Sequence, residues 1–137
     1  MAWAAVHNTI GLPAILIFTA NIFWSTAYDT VYALMDIEDD IKIGVKSTAI
    51  LFGRHIYKIL YLLYAVVIII LAAAGLIAKM GGVYFAVLFL AGIAFECMVS
   101  ILKRSPTRET AFIIFEANAV VGLLILAGIF ADYVIKR

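Results

Sequence analysis

The stretch YLLYAVVIIILAAAGLIA, residues Tyr61–Ala78, contains no charged residue and is apolar almost throughout. A helix needs roughly 20 predominantly apolar residues to cross the hydrocarbon core of a bilayer. This stretch and the residues just before it reach that length, and three other segments have comparable length and composition. The sequence therefore predicts about four membrane-spanning helices. They lie at about residues 9–30, 56–78, 83–102 and 111–131.

The composition of the whole chain agrees with a membrane protein. Apolar residues make up 66% of the 137 residues and charged residues only 14%, against roughly 25% in an ordinary soluble domain. The connections between the apolar segments are short, and no repeat or low-complexity tract separates them. We therefore expect an all-α integral membrane helical bundle, a single domain over residues 1–137, in contact with the lipid bilayer and not with nucleic acid.

The basic residues predict how the bundle is oriented. Seven of the ten lie in the two connections that follow the first and third spans. They are Lys42, Lys46, Arg54, Lys58, Lys103, Arg104 and Arg108. Because cytoplasmic loops carry an excess of Lys and Arg, both connections are predicted to be cytoplasmic. They would then lie on the same side of the membrane and line one site.

A cluster of acids follows the first span. The run YDTVYALMDIEDD, Tyr28–Asp40, holds five of the nine acidic residues of the chain. If its helix is continuous, Asp29, Tyr32, Asp36 and Asp40 lie on one face, because residues three and four apart are neighbours on a helix. Mg²⁺ prefers such oxygen ligands and often combines one or two carboxylates with phosphate oxygens. From spacing alone, a magnesium site and a solvated acidic loop remain equally open.

Other polar residues allow two interpretations each. Lys42 and Lys46 directly follow the acids and either neutralise a diphosphate or are ordinary cytoplasmic basic residues. Glu96 and Glu116 lie within predicted spans, where an acid normally faces a partner, the bundle interior or water. We expect Glu96 to be a hydrogen-bonded structural acid, and Glu116 either to reach the interface or to take part in function.

The stretch NIFWSTAYDTVYALMDIEDDIKIGVKSTAILFG, Asn21–Gly53, resembles the second aspartate-rich region of the UbiA superfamily of membrane prenyltransferases. Within it, YDTVYALMDIEDD followed by KIGVKSTAILFG is most similar to the 4-hydroxybenzoate polyprenyltransferases of ubiquinone biosynthesis. The opening MAWAAV and the last span, with Asn118 and Gly122, resemble the C-terminal half of that family. The resemblance covers essentially the whole chain.

The resemblance implies a bundle of about nine helices, of which this chain is the C-terminal part. In that family two aspartate-rich motifs on the cytoplasmic side bind Mg²⁺ and a polyprenyl diphosphate. Asp36 and Asp40 match the metal ligands of the second motif and, with its leading tyrosine Tyr32, are the implied catalytic residues. The implied substrate-binding residues are Asp29, Asp39, Lys42 and Lys46.

The first motif, of the NDxxDxxxD type, is absent from the chain. A natural split product and a truncated gene model both remain open, and the implied partner is a missing N-terminal half. The implied activity is Mg²⁺-dependent transfer of a polyprenyl group to 4-hydroxybenzoate in a bacterial or mitochondrial inner membrane, without activity of the isolated chain. The alternatives are a non-catalytic membrane fragment or subunit, and a prenyltransferase with a different acceptor.

Overall fold

A computed structural model describes residues 10–136, which form helices and connecting turns without any strand. We number the α-helices α1 to α6 in chain order. Their bounds are Leu12–Ala33 (α1), Ile37–Ile43 (α2), Thr48–Phe52 (α3), Ile56–Ile77 (α4), Gly82–Arg104 (α5) and Arg108–Ile135 (α6). A 3₁₀ turn, Gly53–His55, joins α3 to α4. The prediction of an all-helical membrane fold is confirmed.

The four long helices lie within a few residues of the four predicted spans. Three helical segments are long and apolar enough to cross a membrane: Thr48–Ile77, Gly82–Arg104 and Arg108–Ile135. Helix α1 has 22 residues but is not one of these three segments. It is less apolar because it carries Asn21 and Asp29 among several hydroxyl-bearing residues. That α1 also crosses the bilayer stays a prediction.

The core lies where α1, α4, α5 and α6 meet. Helix α4 presents a buried stripe with helical periodicity, as expected for a helix with one face in a core. The stripe consists of Ile56, Leu60, Tyr64, Val67, Leu71 and Ala74. Small residues of α1, Ala20 and Ala27, are fully buried and allow a close approach to α4. Helix α1 packs mainly on α4 and less on α6, which leaves a groove between α1 and α6.

A buried carboxylate joins α6 to the start of α5 at one end of the bundle. Asp132 is only 2% exposed, and its Oδ2 accepts a hydrogen bond of 2.6 Å from the amide of Gly81. Its Oδ1 accepts a longer bond, 3.4 Å, from the amide of Tyr84. These amides belong to the first turn of α5, whose N-cap, Gly81, offers no side-chain acceptor. Asp132 thus satisfies donors that a helix start otherwise leaves unpaired.

Gly81 is required by this arrangement. A Cβ atom added there would lie 2.6 Å from Oδ1 of Asp132, too close for either atom to stay in place. Lys136, one turn further along α6, lies 3.8 Å from Oδ2 of Asp132 and donates to the carbonyl oxygen of Lys79. The α4–α5 connection is therefore fastened to the end of α6 by an acid and a base.

Replacing Asp132 with Ala should lower the thermal unfolding midpoint of the chain in detergent micelles by several degrees, because two buried amides would lose their acceptor. Circular dichroism at a helical wavelength measures this change. The matched control is Asp29→Ala, which removes an exposed carboxylate from α1 and should leave the midpoint unchanged. Equal midpoints for the two variants would contradict the role assigned to Asp132.

Candidate active site

The acidic run is divided between two helices. Helix α1 ends at Ala33 in a tightened turn, in which the amide of Met35 bonds to the carbonyl oxygen of Tyr32 at 2.9 Å. Asp36 then adopts a non-helical backbone conformation and is the N-cap residue of α2. The prediction of one continuous helical face is wrong. Asp29, Tyr32, Asp36 and Asp40 were expected on that face if the helix were continuous.

The physical reason for the break lies in the acids themselves. Asp is a poor residue for a helix interior, and Asp36 occupies the N-cap position of α2 without a side-chain capping hydrogen bond. The first turn of α2 also holds Glu38, Asp39 and Asp40, and the positive end of a helix dipole favours acids there. Starting a new helix at Ile37 is therefore more favourable than carrying the same acids through the middle of a longer one.

Asp36 and Asp40 nevertheless stay one turn apart. The amide of Asp40 donates to the backbone carbonyl of Asp36 at 2.8 Å. Both residues are partly buried, whereas Glu38 and Asp39 are exposed. The two carboxylates that the family motif marks are thus the ones that the fold partly shields from solvent.

The carboxylates of Asp36 and Asp40 can hold Mg²⁺ only as part of a larger site. Within residues 10–136, no group of three or more His, Cys, Asp or Glu residues is arranged to hold a metal ion. Asp36 and Asp40 supply two carboxylates, and Mg²⁺ commonly combines one or two of these with waters and substrate phosphates. The described residues are therefore compatible with a Mg²⁺–diphosphate complex and not with a site closed by protein ligands alone.

Arg108 is the basic residue that the fold brings to Asp36. Its Nη2 lies 3.0 Å from Oδ1 of Asp36, and both residues line a cavity of about 510 Å³. The lining of this cavity consists of Tyr32, Met35, Asp36, Arg108, Glu109 and Phe112. The contact confirms that the two basic connections lie at the same end of the bundle. The charge pattern of the sequence predicted that the connection containing Arg108 lines one site with the acidic run, but it did not single out Arg108 or identify Asp36 as its partner.

The four residues predicted to bind substrate lie outside the lining of this cavity. Lys42 is exposed and pairs with Asp39, with 3.0 Å between Nζ and Oδ1. The hydrogen bond that Lys42 donates to Asp39 and the negative charge of that carboxylate hold the pKa of Lys42 above its usual value. Lys46 and Asp29 are also exposed, the first between α2 and α3 and the second on α1.

A second cavity, of about 680 Å³, continues along the groove between α1 and α6. Its lining consists of Asn21, Trp24, Tyr28, Phe115, Glu116, Asn118 and Ala119. The ring of Phe115 lies 5.3 Å from that of Tyr32 and 6.0 Å from that of Tyr28. These aromatic contacts connect the cavity lined by Asp36 and Arg108, which we call the acidic cavity, to the apolar groove between α1 and α6.

One amide fixes the inner wall of the groove. Asn118 of α6 is 4% exposed, and its Oδ1 accepts hydrogen bonds of 3.0 Å from Trp24 Nε1 and from the Tyr64 hydroxyl. Its Nδ2 donates to the carbonyl oxygen of Ile114 at 2.8 Å. Side chains of α1, α4 and α6 are thereby joined at one point within the bundle.

The two acids inside the predicted spans, Glu96 and Glu116, are both exposed. Glu116 is exposed and lines the groove, which agrees with either interpretation that the sequence left open. Glu96 is exposed on α5, at a hollow between α4 and α5. It makes no hydrogen bond to any residue in 10–136, so the described part of the chain does not provide the structural partner expected for it.

These features define a helical membrane protein with two aspartates one helical turn apart at one end of an open bundle. Comparison with known proteins gives the family. A model described as the UbiA prenyltransferase family matches residues 1–127. The chain belongs to this family, and the family prediction from the sequence is confirmed.

The chain is similar to several curated proteins named 4-hydroxybenzoate octaprenyltransferase. It is 41% identical over 133 residues to the protein of Aeromonas hydrophila and 44% identical over 133 residues to that of Cronobacter sakazakii. In both cases the alignment covers 97% of this chain and 46% of the relative. The chain thus spans about half the length of the curated relatives it matches. No solved structure matches it.

Proposed function

We propose that this chain is the C-terminal half of a Mg²⁺-dependent prenyltransferase that transfers a polyprenyl group from its diphosphate to 4-hydroxybenzoate. The observation that carries the proposal is that Asp36 and Asp40 are one turn apart and both partly buried, with Asp36 in an ion pair with Arg108. An aromatic groove begins next to this pair. The identity to 4-hydroxybenzoate octaprenyltransferases supports the choice of substrates.

Asp36 and Asp40 would hold Mg²⁺ through their carboxylate oxygens. The bound ion supplies positive charge to the diphosphate leaving group. Arg108, which pairs directly with Asp36 at the edge of the cavity, would turn its guanidinium to the phosphate oxygens, for which its planar fork is suited. Lys42 and Lys46 would add positive charge from the exposed side, and Asp39 would position Lys42 through their ion pair.

Transfer would proceed by cleavage of the allylic C–O bond, with the bonding electrons leaving on the diphosphate. The ring carbon of 4-hydroxybenzoate next to the phenolic hydroxyl then bonds to the allylic carbon, and the ring loses a proton. Tyr32, about half exposed at the mouth of the acidic cavity, would face the developing cation with its ring. Tyr28 and Phe115 would contact the start of the prenyl tail, and Asp29, on the neighbouring turn of α1, would contribute to the polar edge of the site.

The isolated chain would lack activity. Two carboxylates leave most Mg²⁺ and diphosphate contacts to other groups, and a groove between two helices does not enclose a long isoprenoid. A missing N-terminal half would supply the other acidic motif and the remaining helices. The alternative, a non-catalytic membrane fragment or subunit, draws support from the same two facts: the share of the relatives that is covered and the short donor set.

We place the acidic end on the cytoplasmic side of a bacterial or mitochondrial inner membrane, or its equivalent side. In a bacterial host, single cysteines at Lys42 and Lys103, in a Cys97→Ala background, should therefore resist a membrane-impermeant thiol reagent added to intact cells. They should react after the cells are opened. A cysteine at Lys79, at the opposite end of the bundle, is the positive control. Labelling of the first two positions in intact cells would overturn this orientation.

The metal roles are tested in membranes that contain this chain and the N-terminal half of the Aeromonas hydrophila relative. Asp36→Asn and Asp40→Asn keep the size of the side chain and remove its charge, so each should lower prenyl transfer about a hundredfold, as expected for losing a strong electrostatic contact to a transition state. Extra Mg²⁺ should restore part of the loss. Transfer of a labelled prenyl group to 4-hydroxybenzoate is the measurement.

Glu38→Gln is the matched control, because Glu38 lies in the same helical turn and is exposed. It should cost far less than either aspartate variant. If Glu38→Gln were as damaging as Asp36→Asn, and neither responded to Mg²⁺, Asp36 and Asp40 would not be the metal ligands.

A further inference from the structure

Trp24 bridges the groove between α1 and α6. Its backbone belongs to α1, while its Nε1 reaches the Asn118 side chain of α6. On the next turn of α6, a Cβ atom added to Gly122 would lie 3.5 Å from the outer carbon Cη2 of the indole. The indole thus packs beside the backbone of α6 at Gly122, at ordinary van der Waals distance. The indole also meets Phe95 of α5 edge to face, with 5.4 Å between ring centroids.

The indole is held firmly in this position. Its hydrogen bond goes to an amide that is itself buried and fixed by Tyr64 and by the carbonyl oxygen of Ile114. Tyr64 stacks on Phe95 at 4.3 Å. If the ring swung away, its N–H would lose its partner in apolar surroundings, which is unfavourable. The Trp24 indole is therefore held in one orientation, and it forms a rigid part of the groove surface.

The distance from the charged end defines which part of a tail can meet the indole. Asn118 is ten positions beyond Arg108 on α6, which corresponds to about 15 Å at the helical rise of 1.5 Å per residue. An isoprene unit contributes four carbon–carbon bonds and extends roughly 5 Å. A tail that starts at the Asp36–Arg108 cavity and follows the groove meets the indole with about its third unit.

We propose that Trp24, positioned by Asn118, is a specificity-determining residue that selects prenyl donors of at least about three isoprene units. Shorter tails end before the indole and gain no contact with it. Tails that reach it gain an aromatic contact, and additional units gain nothing more from Trp24. This inference rests on the proposed function, because it assumes that the tail lies in the α1–α6 groove.

The test compares geranyl, farnesyl and geranylgeranyl diphosphate as donors in membranes that contain this chain and the N-terminal half of a relative. The contact predicts that kcat/KM rises about tenfold from geranyl to farnesyl, as expected for one buried aromatic contact, and little from farnesyl to geranylgeranyl. In Trp24→Ala the rise in kcat/KM from geranyl to farnesyl diphosphate should disappear. The matched control, Phe130→Ala, removes an exposed aromatic ring from α6. This variant should retain the rise in kcat/KM from geranyl to farnesyl diphosphate.

Two additional variants separate the contact from a loss of folding. Trp24→Phe retains an aromatic ring without the bond to Asn118 and should keep part of the farnesyl preference. Asn118→Leu releases the indole and should weaken the preference while Trp24 is still present. Helical circular dichroism of each purified variant establishes that it is folded. Unchanged donor ratios in the folded Trp24 variants would overturn the inference while leaving the proposed transferase function intact.

A second readout does not require transfer. Trp3 and Trp24 are the only tryptophans of the chain, so Trp3→Phe leaves Trp24 as the sole tryptophan of the chain in lipid nanodiscs, where it can be excited selectively over the tyrosines. With Mg²⁺ present, farnesyl diphosphate should change the Trp24 emission and geranyl diphosphate should not. If the assembled halves transfer nothing, the proposed function fails and this titration decides the inference. An equal response to both donors, or none to either, would then overturn it.

Discussion

The hydrogen bonds of Asn118 hold α1, α4 and α6 in their relative positions. Within the hydrocarbon region a polar side chain must find its partners inside the protein, because water is absent. Asn118 accepts from α1 through Trp24 and from α4 through Tyr64, while it is anchored to its own helix. If it were replaced by an apolar residue, two buried donors on two other helices would be left without acceptors. The separation of α1 and α6, and therefore the groove, depends on this one amide.

The charged contacts at the two ends of the bundle differ in how far they are exposed to solvent. The difference agrees with a structural role for one end and a substrate-binding role for the other. At one end Asp132 is fully engaged with the first turn of α5, so its charge is committed to the fold. At the other end the contact of Asp36 with Arg108 is partly exposed, with 73% of the arginine side chain open to solvent. Exposed ion pairs contribute little to stability, and both groups are free to exchange partners. A charged substrate would find such groups available.

The open side of the bundle also supports the proposal that the chain is one half of a larger assembly. Asn21 and Glu116 are exposed and line the groove within helices that are otherwise apolar. Polar side chains at membrane depth normally face a protein interior or water. A second set of helices covering the groove would place both residues inside, beside the space proposed for the tail.

Much of the fold could be predicted because membrane helices are decided by local composition. The predicted span 56–78 corresponds to α4 at Ile56–Ile77, and the span 83–102 to α5 at Gly82–Arg104. The break after Ala33 was missed because helical spacing alone does not weigh the low helix propensity of Asp36 or the preference of the acids that follow it for the first turn of a helix. Arg108 and Asp132 were missed as contacts because their partners are distant in sequence, and charge patterns do not specify such pairs. Glu96 was expected to have a partner by analogy with other buried acids, and it lies on an exposed face instead.

The central claim is that this chain holds one half of a divided prenyl diphosphate site. The most direct test measures labelled prenyl transfer to 4-hydroxybenzoate in three membrane preparations: this chain alone, the N-terminal half of a relative alone, and the two together. We predict Mg²⁺-dependent product only when both halves are present. Robust turnover by the purified 137-residue chain would contradict the claim, and so would the absence of product from the two halves assembled in one membrane.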